Sequence, residues 1–320
     1  MRYRTLGRTG VQVSPICLGT MIFGDPVSAT DGHLLLDAAL DAGINFIDTA
    51  NVYTAQRSEQ IIGDWLARDR GHRHRIVLAT KVHHAVGPGP NAHGNHRLAV
   101  LNQVEGSLRR LRTDHIDVYY FHRPDPSTPL DEQIAVMQDL ITQGKVRYFG
   151  TSHFPAWMIA MGLRGTGKGP TWSVEQPYYS LLDRAVEQDI VPFAQAVGHA
   201  LVPHSPLAGG FLTGKYQRRC AAPVDSRATR RRGWIEGLQD ADWDVLTCLC
   251  EQARLLNCDP SQLAIAWLLD RPCVASVAIG PRTIDQLQSY VAAADLVVPP
   301  ASAKVLSDTS LFAAQKPLAT

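Results

Sequence analysis

A chain of 320 residues, 45% of them hydrophobic, can enclose one large core, and residues 1–320 are expected to form a single domain of barrel size. Its 31 Lys and Arg balance 30 Asp and Glu to a formal charge of +1, which excludes the broad basic face of a nucleic-acid or anionic-membrane binder and points to a small-molecule partner. Six cysteines (Cys17, Cys220, Cys248, Cys250, Cys258 and Cys273) show no CxxC framework, and neither an apolar leader nor a run approaching the roughly 20 apolar residues of a membrane span occurs, so a soluble, unprocessed protein of a reducing cytoplasm is expected.

Met1–Leu6 and Gln12–Ser14 flank the turn-like Gly7-Arg8-Thr9-Gly10 and read as a small hairpin that would cap one end of the fold. Beyond it, short apolar runs of β-branched character alternate with longer helical patterns. The runs are Ile16–Thr20, Ile44–Asp48, Ile76–Lys81, Ile116–His122, Val146–Thr151, Trp172–Gln176, Ala200–Ser205 and Val274–Gly280. The helical patterns cover Asp31–Ala42, Ser58–Asp69, Arg97–Arg110, Leu130–Gln143, Arg184–Val197 and Ile284–Ala294, with Trp243–Leu256 and Ser261–Leu269 before the last strand. Eight parallel strands are the number that closes a barrel, so the expected class is α/β: a (β/α)8 TIM barrel with an N-terminal β-hairpin and additional C-terminal helices. Tyr216–Asp240 lacks a clean period and reads as a large surface loop.

Asp48, Lys81 and His122 each end a different strand, at the face where such barrels build active sites, and Tyr53 follows Asp48 on a βα-loop that can fold over the same mouth. Singly, an Asp at a strand end can equally cap a helix, a Lys can face solvent and a Tyr can fill space; their joint placement favours one working cleft. His83, His84, His93 and His96 lie in the Gly- and Pro-rich Val82–Asn95 region without a zinc spacing, so no metal is expected. Gly162–Gly169 almost spells a phosphate-binding loop but lacks its final Ser or Thr and follows a helical pattern. No GxGxxG fingerprint supports a Rossmann fold. The Arg227–Arg232 run reads as a solvated loop, with covering of a cofactor as the lesser reading.

Asp48-Thr49-Ala50 with Tyr53, Thr80-Lys81, Phe121-His122-Arg123-Pro124, Val174-Glu175-Gln176-Pro177-Tyr178 and Ser205-Pro206-Leu207-Ala208-Gly209-Gly210 together resemble the aldo-keto reductase family across nearly the whole chain. The Arg-Thr-Leu-Gly-Arg-Thr-Gly opening and Thr213-Gly214-Lys215-Tyr216 look like the bacterial and potassium-channel β-subunit branches more than the mammalian aldose reductase branch. The resemblance implies an NADP(H)-dependent reduction of an aldehyde, ketone or keto-sugar carbonyl, with Asp48, Tyr53, Lys81 and His122 as catalytic tetrad. In that scheme Tyr53 is the general acid, its phenol made more acidic by Lys81. Asp48 holds the Lys81 ammonium, and His122 orients and polarises the carbonyl oxygen.

The resemblance further implies cofactor contacts from Thr20, Met21, Asp48, Ser152, His153, Gln176 and His204, from Ser205, Leu207, Gly209 and Lys215 along the pyrophosphate, and from Gly280, Arg282 and Gln286. Arg282 is the reason for NADP(H) over NAD(H), since a guanidinium matches a 2′-phosphate with paired donors. Phe23, His83 and Trp234 are candidates for the substrate pocket. Three positions depart from the family pattern: His153 where Ser-Asn is usual, His204 where an aromatic often stacks on nicotinamide, and Ser289-Tyr290 where Glu-Asn often meets adenine. The rival reading is a cofactor-bound regulatory or interaction protein like the channel β-subunits.

Overall fold

The computed structural model describes residues 1–164, 172–224, 226–230, 235 and 237–313. An antiparallel pair, β1 (Arg4–Thr5) and β2 (Gln12–Val13), precedes β3 (Ile16–Gly19), β4 (Phe46–Asp48), β5 (Val77–Val82), β6 (Ile116–Phe121), β7 (Val146–Ser152), β8 (Trp172–Gln176), β9 (Ala200–Leu201) and β10 (Val277–Ile279). The last eight form one parallel sheet in the order β10-β3-β4-β5-β6-β7-β8-β9. Its ends meet: Leu201 bridges Val274, Ala275 N donates to Leu201 O at 2.9 Å, and Ala278 N donates to Pro203 O at 2.9 Å. The expected (β/α)8 barrel is the observed fold. β9 stops two residues long instead of running to Ser205 because Pro203 has no N–H to donate to a ladder.

The surrounding helices are α1 (Ala29–Asp41), α2 (Arg57–Arg68), α3 (Arg70–Arg75), α4 (Arg97–Leu111), α5 (Leu130–Thr142), α6 (Ala156–Leu163), α7 (Ile190–Val197), α8 (Arg227–Arg230), α9 (Asp240–Leu255), α10 (Pro260–Leu269), α11 (Ile284–Ala292) and α12 (Pro300–Ala313). The single helix expected over Arg184–Val197 is instead a 3-10 turn, Ala185–Glu187, followed by α7. Pro192 lies in the first turn of α7, where a missing N–H costs nothing; a helix running through from Arg184 would lose that bond. Among the described residues no helix is long and apolar enough to cross a membrane.

Strand parity sorts side chains between two cores. Cys17, Phe46, Ala79, Val118, Tyr120 and Val174 fill the barrel, while Ile16, Leu18, Ile47, Leu78, Tyr119 and Phe121 face the helices. The hairpin closes the N-terminal end as expected. Its Leu6 and Val13 join the inner core, and Arg4 Nη1 donates to Leu269 O at 2.7 Å and Val274 O at 2.9 Å. At Gly7, whose φ is +55°, a Cβ would lie 2.6 Å from Ser173 O, so only glycine brings the turn this close.

The helical layer is equally tight where α2 crosses α4. A Cβ on Gly63 would fall 1.9 Å from Arg110 O, whereas one on Gly87 meets nothing within 4 Å. Gly63→Ala is expected to destabilise the fold by about 1–3 kcal/mol through overpacking. Thermal unfolding checks this against Gly87→Ala, and equal melting temperatures for the two variants would refute the packing argument.

Candidate functional site

Two residues beyond each inner-core position, the same parity carries polar groups to the barrel's C-terminal mouth: Phe46 leads to Asp48, Ala79 to Lys81, Tyr120 to His122 and Val174 to Gln176. Lys81 is fully buried, and its three donors are each answered: Asp48 Oδ2 at 2.5 Å, Thr49 O at 2.8 Å and Tyr53 Oη at 3.3 Å. The other Asp48 oxygen accepts from Gln176 Nε2 at 3.1 Å. The ammonium also lies 5.0 Å from the Tyr53 ring centre and 5.9 Å from that of Tyr120. The Tyr53 and His122 rings meet edge-on at 5.7 Å. The four strand-end and loop residues singled out from the sequence therefore stand together.

Tyr53 is held by a loop in an uncommon conformation. Thr54, Ala55 and Gln56, none a glycine, have φ of 45°, 52° and 73°, left-handed values that cost about 1–3 kcal/mol each. Thr54 Oγ1 donates to Phe23 O at 2.5 Å and Gln56 Nε2 to Val86 O at 3.4 Å, anchoring both ends of the turn. Asn51, also fully buried, donates to Gln103 Oε1 of α4, and Gln103 Nε2 to Ala92 O, so the loop is tied to the helix layer.

Burial decides the proton affinities. It pushes the Tyr53 phenol above its ordinary value, and the Lys81 charge offsets this only in part. This reverses the more acidic phenol expected from the Lys81 neighbour alone; Tyr53 stays protonated. Burial would lower the Lys81 ammonium, but the charges of Asp48 and Tyr53 and their hydrogen bonds outweigh it and leave it raised. Burial, then the Lys81 charge, drives His122 well below the ordinary imidazole range. His122 is thus neutral at neutral pH, with Nδ1 lacking a partner among the described residues.

Histidines ring this centre. His84 stacks edge-on against His122 at 4.8 Å, and His83 Nδ1 bonds Asn95 Oδ1 at 3.0 Å. His96 caps α4, its Nδ1 accepting from Ala99 N. Opposite, His153 Nε2 and His204 Nε2 are 3.1 Å apart, which requires one to donate and the other to accept. Burial first, then surrounding charge, lowers both, His153 to about 4, so each ring is neutral. Behind the sheet Glu175 accepts from Thr151 Oγ1 at 2.5 Å and Phe154 N at 3.1 Å, which pins the left-handed His153 backbone; burial lifts its carboxyl to about 8.

Other expected contacts are distributed unevenly. Ser152 Oγ donates to Gln176 O at 2.7 Å. Thr20 Oγ1 is committed to Asp48 O at 3.0 Å and Ser58 Oγ at 2.8 Å, while Met21 is half exposed. Phe23 is fully buried among α1 and α2 and does not line the mouth; only its carbonyl serves the site, through Thr54. Trp234, most of the near-phosphate loop, and Arg231 and Arg232 of the arginine run lie outside the described residues.

After β9 the chain turns through left-handed Ser205, Ala208, Gly209, Gly210 and Gly214, with Ala208 N donating to Ser205 O at 2.9 Å and Gly210 N to Leu207 O at 2.8 Å. Leu207 begins the 3-10 turn Ala208–Thr213, and Lys215 is exposed with Nζ 5.2 Å from the Tyr216 ring centre. Past β10, a Cβ on Gly280 would meet nothing within 4 Å, and Gln286 Oε1 accepts from Arg282 N at 2.8 Å. Ser289 is spoken for by Asp259 at 3.0 Å, and Tyr290 is buried. Asn51, Asn95 and Gln103 were not singled out from the sequence, because their contacts lie 30 to 52 residues away; Glu175 sits inside a quoted motif, but its support of the His153 backbone shows only in the fold.

Comparison with known proteins agrees with this geometry. The model of the Aldo/keto reductase family matches residues 15–308. The chain is 36% identical to "Uncharacterized oxidoreductase YrpG" of Bacillus subtilis (strain 168), over 96% of this chain and 95% of that protein. It is also 36% identical to proteins named "Probable voltage-gated potassium channel subunit beta" from Oryza sativa subsp. japonica, over 100% and 99% of the two chains, and from Arabidopsis thaliana, over 93% and 92%. With its barrel, its mouth of converging side chains and a family match running almost end to end, this chain belongs to the aldo/keto reductase family.

Proposed function

We propose that the chain is a cytoplasmic NADPH-dependent reductase that converts an aldehyde, ketone or keto-sugar carbonyl to the alcohol, with Tyr53 as general acid. The observation that carries this reading is the Lys81 ammonium bound at once to Asp48 and Tyr53, beside a neutral His122. When bound, the reduced nicotinamide supplies the hydride.

The residues present suit such a cofactor. The left-handed Ser205–Gly214 backbone and Lys215 offer donors and charge to a pyrophosphate. Open space at Gly280 admits a close approach, and Arg282 stands two residues on for a 2′-phosphate, with Gln286 bracing its backbone. Gln176, Ser152, His153 and His204 frame the mouth where a ring would lie, the two histidines supplying flat faces and hydrogen bonds.

At the reacting centre Tyr53 keeps its proton because burial disfavours the phenolate, and it gives that proton to a carbonyl oxygen as negative charge develops there. Lys81 then stabilises the phenolate left behind, at no cost in reorganisation because Asp48 and Thr49 already fix its position. A neutral His122 can donate one N–H to the same oxygen without adding charge. His83 lines the approach with Asn95 behind it.

The similarity to channel β-subunits supports a second reading, a nucleotide-bound partner of another protein. Sustained NADPH oxidation with a panel of aldehydes favours the enzyme; tight NADPH binding without turnover favours the partner.

Tyr53→Phe is expected to lower kcat/KM for aldehydes by about 100-fold or more while NADPH binding, read by fluorescence titration, is nearly retained. Turnover close to wild type removes Tyr53 from the mechanism. Because burial raises the phenol pKa, the acid form is present throughout the neutral range, so kcat/KM for reduction should stay level there and decline only above the ordinary tyrosine value of about 10. A decline centred near pH 7 contradicts that assignment. Arg282→Ala should weaken NADPH by about 10- to 100-fold and NADH little; parallel weakening of both would argue against a 2′-phosphate contact.

A further inference from the structure

We propose that a cleft between α4 and the segment following β5 is a second ligand site, separate from the barrel mouth, and that it takes a small polyhydroxylated anion, a sugar phosphate or a sugar acid. The inference goes beyond the reductase reading and is judged by binding, without turnover.

The cleft has a volume of about 510 Å³ and lies between residues 86–92 and the stretch 102–110 of α4. That size is ordinary for a small-molecule site. Neither Asp48, Tyr53, Lys81 nor any histidine lines it, so it is distinct from the mouth. Its outer wall is held by hydrogen bonds. Gln56 Nε2 donates to Val86 O at 3.4 Å, Gln103 Nε2 donates to Ala92 O at 3.0 Å, and Val86 N closes the segment on Ala92 O at 3.3 Å. Pro88 and Pro90 fix two φ angles along that wall, which lowers the ordering cost of binding against it.

Two cations and no carboxylate line the cleft. Arg110 is held in place: Nε donates to the buried Glu59 at 2.7 Å and Nη2 to Ser107 Oγ at 3.3 Å, while Nη1 lies 2.9 Å from the position a Cβ on Gly106 would take. Glu59 thus compensates Arg110. Arg109 beside it is exposed and, among the described residues, has no carboxylate within ion-pair distance. The last turn of a helix suits its charge but supplies no counter-ion. Carboxylates of the same helical layer are committed: Glu105 to Lys145 at 2.5 Å, Asp64 to Arg112 at 2.6 Å and Asp117 to Arg73 at 2.8 Å. Exposed Asp25 adjoins Gly24, which packs on Thr54 and Arg57, and does not line the cleft.

The other polar groups of the lining are side-chain amides. Asn91 and Asn102 are exposed and have no side-chain partner among the described residues; Gln56 is half-buried and Gln103 buried. An amide offers both donors and an acceptor, which is what hydroxyl groups need. A guanidinium matches phosphate or carboxylate oxygens in pairs. Together they describe a sugar that carries one anionic group.

The cleft is also joined to the reactive centre. Gln103 Oε1 accepts from Asn51 Nδ2, Asn51 N donates to Lys81 O at 3.3 Å, and Gln56 ends the left-handed turn that follows Tyr53. The buried Asn51 Oδ1 lacks a partner among the described residues, so this joint keeps an unmet acceptor. A ligand seated on Gln56 and Gln103 therefore bears on residues 51–56.

Isothermal titration calorimetry with glucose 6-phosphate, gluconate, glucose and inorganic phosphate tests this, with and without saturating NADPH. At least one sugar anion is expected to bind in both conditions, about tenfold or more tighter than glucose. The tighter of the two tells phosphate from carboxylate. Arg109→Gln should weaken it by about tenfold or more, Arg109→Lys by less, and Asn102→Ala by about two- to tenfold, with circular dichroism confirming the fold. Amide hydrogen exchange should slow on binding in residues 86–92 and 51–56.

Absence of binding by both sugar anions in the millimolar range overturns the proposal. So does binding that NADPH abolishes, that is indifferent to Arg109, or that protects only the mouth. Inorganic phosphate bound as tightly as glucose 6-phosphate refutes recognition of the hydroxyl groups. A failed aldehyde screen sinks the reductase reading alone, since heat of binding is read without turnover.

Discussion

An ammonium sealed inside the barrel is the constraint around which the molecule is arranged. Removing a charge from water costs several kcal/mol, and the interior tolerates Lys81 only because its three N–H donors find a carboxylate, a carbonyl and a phenol. That requirement fixes the rest of the centre. Asp48 must be ionised and oriented, which Gln176 ensures from across the barrel; Thr49 must present its carbonyl, which the bend after β4 provides; and Tyr53 must return over the mouth. Such a pair contributes little net stability compared with an apolar filling, so its value lies in specifying one arrangement of reactive groups.

Supporting contacts extend outward from that pair in a consistent way. Ser58 at the start of α2 bonds Thr20 and Thr49, linking β3 and β4 to one helix, and Glu59 beside it accepts from Thr80 and Arg110, linking β5 and α4. The left-handed turn Thr54–Gln56 stores strain next to the phenol, and the anchors at Phe23 and Val86 keep it from relaxing. Rigidity is thus concentrated around the buried Lys81 and the Tyr53 phenol.

Much of this was legible in the residues. A parallel strand buried on both faces reads as a short apolar run, and the polar residue that ends such a run falls at a known end of the barrel, so Asp48, Lys81 and His122 could be grouped without coordinates. The break before α7 and the short β9 were not read from the sequence, although Pro192 and Pro203 stand where each occurs. What stayed hidden depended on competition or distance. Whether the Tyr53 phenol is raised or lowered turns on burial outweighing a nearby charge, and burial is not visible in the order of residues. Asn51 meets Gln103 across 52 residues, and Asn95 joins Arg123 to His83 across loops with no shared pattern. Phe23 looked suited to a pocket because an aromatic near a strand end fits a pocket and a core equally well.

The hairpin at the chain's beginning has a practical bearing. Because residues 4–13 plug the cylinder opposite the reactive opening, Met1 emerges on the blind side, near Gly43 at the foot of α1. A tag, carrier or surface tether joined there trails away from the entrance, leaving access for small molecules unobstructed. Shortening the chain from that end would instead uncork the floor and expose Cys17, Phe46 and Val174 to water.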